Sequence, residues 1–231
     1  MRLRWLDLTR SAALLGMVVY HGAYDLQEFY GWDIDVGHGA WKVFQAVVAS
    51  VFLGVSGISA GFWTRSAHAY ERGWRRGWTI LSAAMLVALV TAIADPETWV
   101  RFGILHLIAF SSFLLPFLRR LHPAFIAILG LTCIALAPFD LMPHIISVDY
   151  VPPIPWLGPI LLGFAIGIPL STRAHEGARL ETTMDRGRPS TTLRINSGLL
   201  LECFLWPGRH SLVIYLVHQP VILAVLWLTL R

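Results

Sequence analysis

Long apolar runs alternate with short polar segments along the whole chain. The runs cover residues 6–30, 40–63, 77–94, 100–118, 124–139, 156–170 and 209–230. A helix rises about 1.5 Å per residue, so roughly 20 apolar residues span a bilayer core of about 30 Å. The pattern predicts an all-α protein, a polytopic membrane bundle of about seven transmembrane helices. We expect one domain over residues 1–231, with a polar cytoplasmic loop at 171–197 and a short interfacial segment at 198–206, which Pro207 and Gly208 separate from the last helix.

Composition and charge placement support a membrane setting. Hydrophobic residues make up 56% of the chain and charged residues 14%, against about 25% charged residues in soluble domains. A net charge of +4 is also compatible with nucleic-acid binding. However, 15 of the 18 basic residues fall on one side of the predicted bundle. This distribution follows the positive-inside rule, so we predict a cytoplasmic N-terminus and no nucleic-acid partner.

The first apolar run carries ionisable side chains at helical spacing. Arg10, Leu14, Met17, His21 and Asp25 form one stripe, because a helix turns about 100° per residue. Ionisable groups in a spanning helix are costly and normally face a bundle interior or a water-filled cavity. We predict that this stripe lines a pocket or passage around which the other helices close. The second run has small residues that favour a close helix contact, namely Gly54, Ser56, Gly57, Ser59, Ala60 and Gly61.

His21 and Asp25 lie one turn apart and are the first candidates for chemistry. A carboxylate beside an imidazole fixes its tautomer and suits a general base that works near neutral pH. A structural pair that joins helices is the alternative. His38 lies in a predicted outer loop, and from its position alone it is an exposed loop histidine.

The last apolar run contains a second group of polar residues. Ser211, Tyr215 and His218 fall on one helix face. Polar side chains in a spanning helix do not all face lipid. Arg209 and His210, at the inner end of this run, are candidates for binding the phosphates of a cytoplasmic cofactor. Loop arginines also serve topology alone, which is the alternative.

Few other residues suggest chemistry. Arg101 is equally suited to an anionic substrate group and to lipid headgroups, and His106 follows it near the start of the fourth run. Cys133 and Cys203 are far apart, with no C-x-x-C motif or paired histidine spacing. We therefore expect packing thiols and no metal site.

Six short motifs occur in order along nearly the whole chain. They are Arg4-x-x-Asp7-x-x-Arg10, Met17-Val18-Val19-Tyr20-His21-Gly22-Ala23-Tyr24-Asp25-Leu26, Phe52-Leu53-Gly54-Val55-Ser56-Gly57, Phe102-Gly103-Ile104-Leu105-His106, Pro155-Trp156-Leu157-Gly158 and Gly208-Arg209-His210-Ser211-Leu212-x-x-Tyr215-x-x-His218-Gln219-Pro220. The sequence resembles the bacterial DUF1624 proteins, which are similar to the catalytic domain of heparan-α-glucosaminide N-acetyltransferase. The first and last motifs are the most specific parts of this resemblance.

The resemblance implies an acyltransferase of the plasma (bacterial inner) membrane. An acetyl group would pass from cytoplasmic acetyl-CoA to an amine or hydroxyl, expected to belong to a sugar or glycan on the far side. The family's eukaryotic enzymes use a non-cytoplasmic histidine in a pattern that His38-Gly39-Ala40-Trp41 matches, whereas His21 stands where those enzymes have an asparagine; both histidines stay open. The expected sites are His21, Asp25 and His38 for catalysis, Arg10, Arg209, His210, Ser211 and His218 for acetyl-CoA, and Arg101, His106, Asp149 and Trp156 for the acceptor.

Two other classes of protein fit the same residues. A small membrane transporter or proton-relay protein is one, because histidine and aspartate within spans also carry protons or solutes. The paired internal repeats that many transporters show are not visible by eye. A structural membrane subunit is the other. The sequence leaves a monomer and a homodimer open, each with membrane lipid around it.

Overall fold

The computed structural model describes residues 3–139, 141–143, 145, 147, 149–184 and 199–230. Within these residues the regular structure is helical, and no strand occurs. The predicted all-α class is confirmed for this part of the chain. The helices are α1 (Arg4–Tyr30), α2 (Gly39–Trp63), α3 (Ala69–Ala94), α4 (Ile104–Leu118), α5 (Pro123–Ala135), α6 (Pro153–Met184), α7 (Leu199–Arg209) and α8 (Ser211–Thr229), with a short 3₁₀ turn at Ala137–Phe139.

Four of the described helices are long and apolar enough to span a membrane. They are α2, α3, α6 over Pro153–Gly177, and α8. Helices α4 and α5 are also apolar but have only 15 and 13 residues. Large apolar side chains cover the outer faces of α3 and α8, where Ile93 is 76% and Leu228 72% exposed. Exposed apolar faces of this extent suit contact with lipid.

Helices α2 and α6 pack backbone against backbone. A Cβ added at Gly57 would lie 2.0 Å from the carbonyl oxygen of Ile160, and one added at Gly163 would lie 2.0 Å from that of Gly54. Only glycine permits this approach. The prediction that small residues of α2 make a close helix contact is confirmed.

The buried core is formed by this helix pair together with residues of α3, α4 and α5. Its fully buried members include Leu53, Leu107, Ile126 and Phe164. Helix α1 packs against α2, α7 and α8 instead. Two buried carboxylates of α1 contact these helices: Asp7 lies against Arg209 of α7, and Asp25 against Gln219 of α8.

Helix α3 begins eight residues earlier than predicted, at Ala69 rather than residue 77. Arg72, Arg75 and Arg76 thus lie on a helix and not in a loop. Arginine is a good helix former, and the first turns of α3 are fixed by contacts with α4. A Cβ added at Gly73 would lie 2.7 Å from the carbonyl oxygen of Ser112, so the two backbones are in close contact there.

Two further boundaries differ at the end of the chain. Helix α6 continues to Met184, so residues 171–184 of the predicted polar loop are helical, because no proline follows Pro169 before that point. Residues 185–197 lie outside the described residues. Helix α7 runs through Pro207 and Gly208, and the break falls at His210. Gly208 is needed for contact with α1, since a Cβ there would lie 2.0 Å from the carbonyl oxygen of Asp7.

Candidate functional site

A cavity of about 840 Å³ opens at one end of the helix bundle. The beginnings of α1, α3 and α8 and the ends of α2 and α7 enclose it. Four arginines line the cavity, and they come from three different parts of the sequence. We call it the arginine cavity, and its arginines are Arg10, Arg72, Arg76 and Arg209.

Carboxylates hold two of these arginines in place. Nη1 of Arg10 lies 3.1 Å from Oδ1 of Asp7, and Nη2 of Arg10 donates to the hydroxyl of Ser59. Nε of Arg209 lies 3.7 Å from Oδ2 of Asp7, and its Nη1 lies 2.8 Å from Oε2 of Glu202. Asp7 is only 5% exposed. It therefore connects α1 to the end of α7 and fixes both guanidinium groups.

The other two arginines have no carboxylate partner among the described residues. Arg72 and Arg76 lie one turn apart on α3, and within the described residues neither forms an ion pair. Among the described lining residues Asp7 is the one carboxylate, and with the four arginines this gives a formal charge of +3. Guanidinium groups bind phosphates with two hydrogen bonds each. The cavity suits a ligand with more than one phosphate, and the lining hydroxyls of Ser56 and Ser211 offer further donors.

A second cavity, of about 300 Å³, lies along the opposite half of α1. His21 lines it, together with α2, the residues that precede α6, and the first turn of α6. Its walls are rich in aromatic side chains that also carry a polar group. We call it the histidine cavity, and these side chains are Tyr20, Tyr24, Tyr150, Trp156 and Tyr215.

Asp149 is the carboxylate of the histidine cavity. Its Oδ2 accepts hydrogen bonds from the hydroxyl of Tyr215 at 3.2 Å and from the backbone N–H of Ile104 at 3.3 Å. Ile104 is the first residue of α4, so the carboxylate satisfies one of the unpaired N–H groups of that helix. Removal from water raises the pKa of Asp149 above its ordinary value, and the two hydrogen bonds oppose this effect only in part.

His21 and Asp25 do not pair with each other, contrary to one of the sequence predictions. The side-chain amide of Gln219 donates to both oxygens of Asp25, at 2.8 and 3.0 Å. The imidazole of His21 packs edge-on against that of His218, with 5.0 Å between ring centroids. Each residue finds its partner on α8, because α8 lies against this part of α1.

The two cavities share part of their lining. Phe52 of α2 and Tyr215 of α8 border both of them. The stripe on α1 runs past this junction: Arg10 lines the arginine cavity and His21 the histidine cavity, while Asp25 is 0% exposed and lines neither. A ligand bound in one cavity would therefore end close to a ligand bound in the other.

Two predicted site residues lie on the surface, outside both cavities. The side chain of His38 is 82% exposed, and its Nδ1 lies 2.9 Å from Oδ1 of Asp35. Arg101 is exposed, and its guanidinium lies 5.6 Å from the ring centroid of Trp99. The structure thus separates His38 from His21.

Three further histidines that were predicted to bind a ligand lie outside both cavities. His106 is 7% exposed, and its Nδ1 accepts the backbone N–H of Gly103 at 3.2 Å, which caps α4. His210 is exposed and stacks on Trp206. His218 contacts His21 and lines neither cavity. Of the predicted site residues, those that line a cavity are Arg10, His21, Asp149, Trp156, Arg209 and Ser211.

Several residues of the site were not predicted from the sequence. Arg72 and Arg76 are spaced i and i+4, a signal for one helix face, but they were assigned to a loop. Asp7 was part of a motif without a role of its own. Tyr215 and Gln219 gave no signal of their partners, because those contacts join positions almost 70 and 200 residues apart in the chain.

Comparison with known proteins gives one match. The family described as heparan-alpha-glucosaminide N-acetyltransferase, catalytic, matches residues 2–220. No curated protein and no solved structure shows a significant match to the chain. The family match covers both cavities and all of the site residues named above.

Proposed function

The chain belongs to the heparan-alpha-glucosaminide N-acetyltransferase catalytic family, and from this premise we propose that it moves an acetyl group from acetyl-CoA to an amine or hydroxyl of a glycan-like acceptor. The family makes it a transferase of the acyltransferase kind, and its four apolar helices make it a membrane protein. The donor, the sidedness and the roles of individual residues are parts of the proposal.

The arginine cavity is the proposed donor site. Its volume of about 840 Å³ lies in the range of cofactor pockets, and its charge suits the phosphates of coenzyme A. Arg72 and Arg76 are available for those phosphates, whereas Arg10 and Arg209 are also held by Asp7. Bound acetyl-CoA would supply a thioester, whose carbonyl carbon is open to attack by a nucleophile.

The histidine cavity is the proposed acceptor site, and His21 is the proposed catalytic residue. Its imidazole either removes a proton from the acceptor amine or hydroxyl, or carries the acetyl group itself. Asp149 would accept a hydrogen bond from the acceptor, and Trp156 offers an apolar face to a sugar ring. His38 is not assigned to catalysis, because its exposed side chain lies outside the cavity.

The proposed topology has seven crossings of a bacterial inner membrane, made by α1–α6 and α8, with α7 at the interface. The N-terminus would be cytoplasmic, because the arginines of the first cavity lie at the same end as the basic segments. The arginine cavity then opens to cytoplasmic acetyl-CoA, and the histidine cavity opens to the other side.

One observation carries the proposal: a basic cavity and a histidine-lined cavity meet at Phe52 and Tyr215. The test is transfer of radiolabelled acetyl from acetyl-CoA to glucosamine by the protein reconstituted in vesicles. We expect His21→Ala to lower turnover by about 100-fold or more, as loss of a general base does, and His38→Ala to leave turnover unchanged.

Three results would contradict this proposal. One is wild-type protein that neither binds acetyl-CoA nor transfers acetyl groups. A second is full turnover by His21→Ala. The third is uptake of the acceptor without acetylation, which would support the transporter hypothesis instead.

A further inference from the structure

We propose that His218 is a positioning residue for His21: its Nε2 accepts a hydrogen bond from the His21 imidazole once His21 has taken a proton from the acceptor. This inference rests on the proposed function. It is carried by the contact between the two rings and by a buried nitrogen of His218 that has no partner within the described residues.

The tautomer of His218 follows from its backbone contact. Its Nδ1 lies 2.6 Å from the carbonyl oxygen of Tyr215. A carbonyl oxygen only accepts hydrogen bonds, so Nδ1 carries the proton and Nε2 has a free lone pair. That Nε2 is buried and has no hydrogen-bond partner in the part of the chain that the structure describes. Buried nitrogen atoms of this kind are rare, because an unsatisfied polar atom has lost its hydrogen bonds to water without replacing them.

The two imidazoles are near enough to form the missing bond. Their centroids lie 5.0 Å apart, with 62° between the ring planes. An N–H···N bond of about 2.9 Å between two imidazoles also separates their centroids by roughly 5 Å. The separation of the two rings therefore matches that of a hydrogen-bonded imidazole pair.

The distance between the rings is fixed by the next pair of residues. Asp25 is one turn beyond His21 on α1, and Gln219 adjoins His218 on α8. The two hydrogen bonds from Gln219 to Asp25 join the helices at this level. Asp25 is 0% exposed. This buried pair, Asp25 and Gln219, joins the two helices beside the two histidines, and we call it the clamp.

The proton count is simple. The acceptor loses one proton from its amine or hydroxyl, and His21 gains it on the nitrogen that faces the histidine cavity. The N–H on the other nitrogen of His21 then donates to Nε2 of His218. No proton leaves His218, because its Nδ1–H continues to donate to the carbonyl oxygen of Tyr215. His218 thus stabilises the charged form of His21 in the orientation needed for transfer.

The experiment compares three variants of His218 that differ in whether a polar side-chain atom reaches the position of Nε2. His218→Gln places an amide oxygen or nitrogen near the Nε2 position, His218→Leu has no polar atom, and His218→Asn is polar but shorter. We expect the Leu and Asn variants to lower kcat by about 10- to 100-fold, the range for loss of a supporting hydrogen bond, with the KM for acetyl-CoA unchanged. The Gln variant should recover most of kcat.

The outcomes separate this inference from the proposed function. Equal kcat values for the Gln, Asn and Leu variants, in protein with wild-type thermal stability, would overturn the inference while wild-type turnover sustains the function. Wild-type protein without turnover would overturn the function and the inference with it. Histidine ¹⁵N spectra give a readout independent of activity: the inference requires the Nδ1–H tautomer of His218, and an Nε2–H tautomer would refute it.

Discussion

Replacement of Arg76 by alanine removes a positive charge from the arginine cavity without breaking an ion pair of the described residues. Arg76 lines the arginine cavity and forms no ion pair within the described residues. If its guanidinium binds a phosphate of acetyl-CoA, the lost charge-assisted hydrogen bonds contribute about 1.5–3 kcal/mol. At 1.4 kcal/mol per tenfold change, the Kd should rise by about 10- to 150-fold. The cavity is open to water, so the lower end of this range is expected.

The measurement is thermal unfolding of the detergent-solubilised protein over a series of acetyl-CoA concentrations. A ligand that binds only the folded state stabilises it by RT ln(1 + [L]/Kd). A tenfold rise in Kd therefore removes about 1.4 kcal/mol of stabilisation at saturating ligand. Without acetyl-CoA, the variant should unfold at the wild-type temperature, because Arg76 makes no ion pair that is lost.

The neighbouring residue supplies the control. Arg75 has the same charge and lies on the same helix, but it does not line the cavity. Arg75→Ala should leave the affinity within about twofold of wild type, since Arg75 makes no contact with the cavity and an exposed charge outside it is screened by salt. Equal loss of affinity in both variants would show a general charge effect and would refute the assignment of the arginine cavity.

Three further predictions test the packing, the clamp and the topology. Gly57→Ala should destabilise the protein by about 1–3 kcal/mol in thermal unfolding, because its Cβ would lie 2.0 Å from a backbone oxygen. Gly22→Ala is the control, since a Cβ there would have nothing within 4 Å, and equal effects of the two variants would contradict the close helix contact. Gln219→Leu should lower the free energy of unfolding by about 1–3 kcal/mol, because it removes the Gln219 donor from the buried Asp25 carboxylate. The double variant with Asp25→Leu should recover stability, and a double variant no more stable than the single one would contradict the clamp. In a Cys133→Ala background, an impermeant maleimide should label the exposed Cys203 only in inverted vesicles. In a cysteine-free chain that carries His38→Cys, the same reagent should label the new cysteine only in intact cells. The opposite pattern would contradict the proposed orientation.

The pattern of apolar runs predicts most of the fold, because burial in lipid demands continuous apolar helices. The close contact of α2 with α6 also follows from the glycines of α2. The boundaries at 69–77 and 171–184 do not follow, since polar helices that project beyond an apolar run have no hydropathy signal. The start of α3 depends on contacts with α4, such as that of Gly73 with Ser112, which a single sequence does not reveal.

The candidate site is predictable only as far as one helix carries it. The stripe on α1 places Arg10 at one cavity and His21 at another, whereas Asp25 lines neither. The predicted pairing of His21 with Asp25 fails, because positions one turn apart on α1 are both closer to partners on α8. Partners such as Gln219 and His218 come from the far end of the chain, so their contacts depend on tertiary packing and not on spacing.

A density map of the purified protein with acetyl-CoA bound tests the central claim most directly. We predict that the phosphates lie against Arg72 and Arg76 and that the thioester reaches the junction at Phe52 and Tyr215, on the side from which His21 is accessible. A nucleotide bound at another surface, or a thioester remote from His21, would contradict the account.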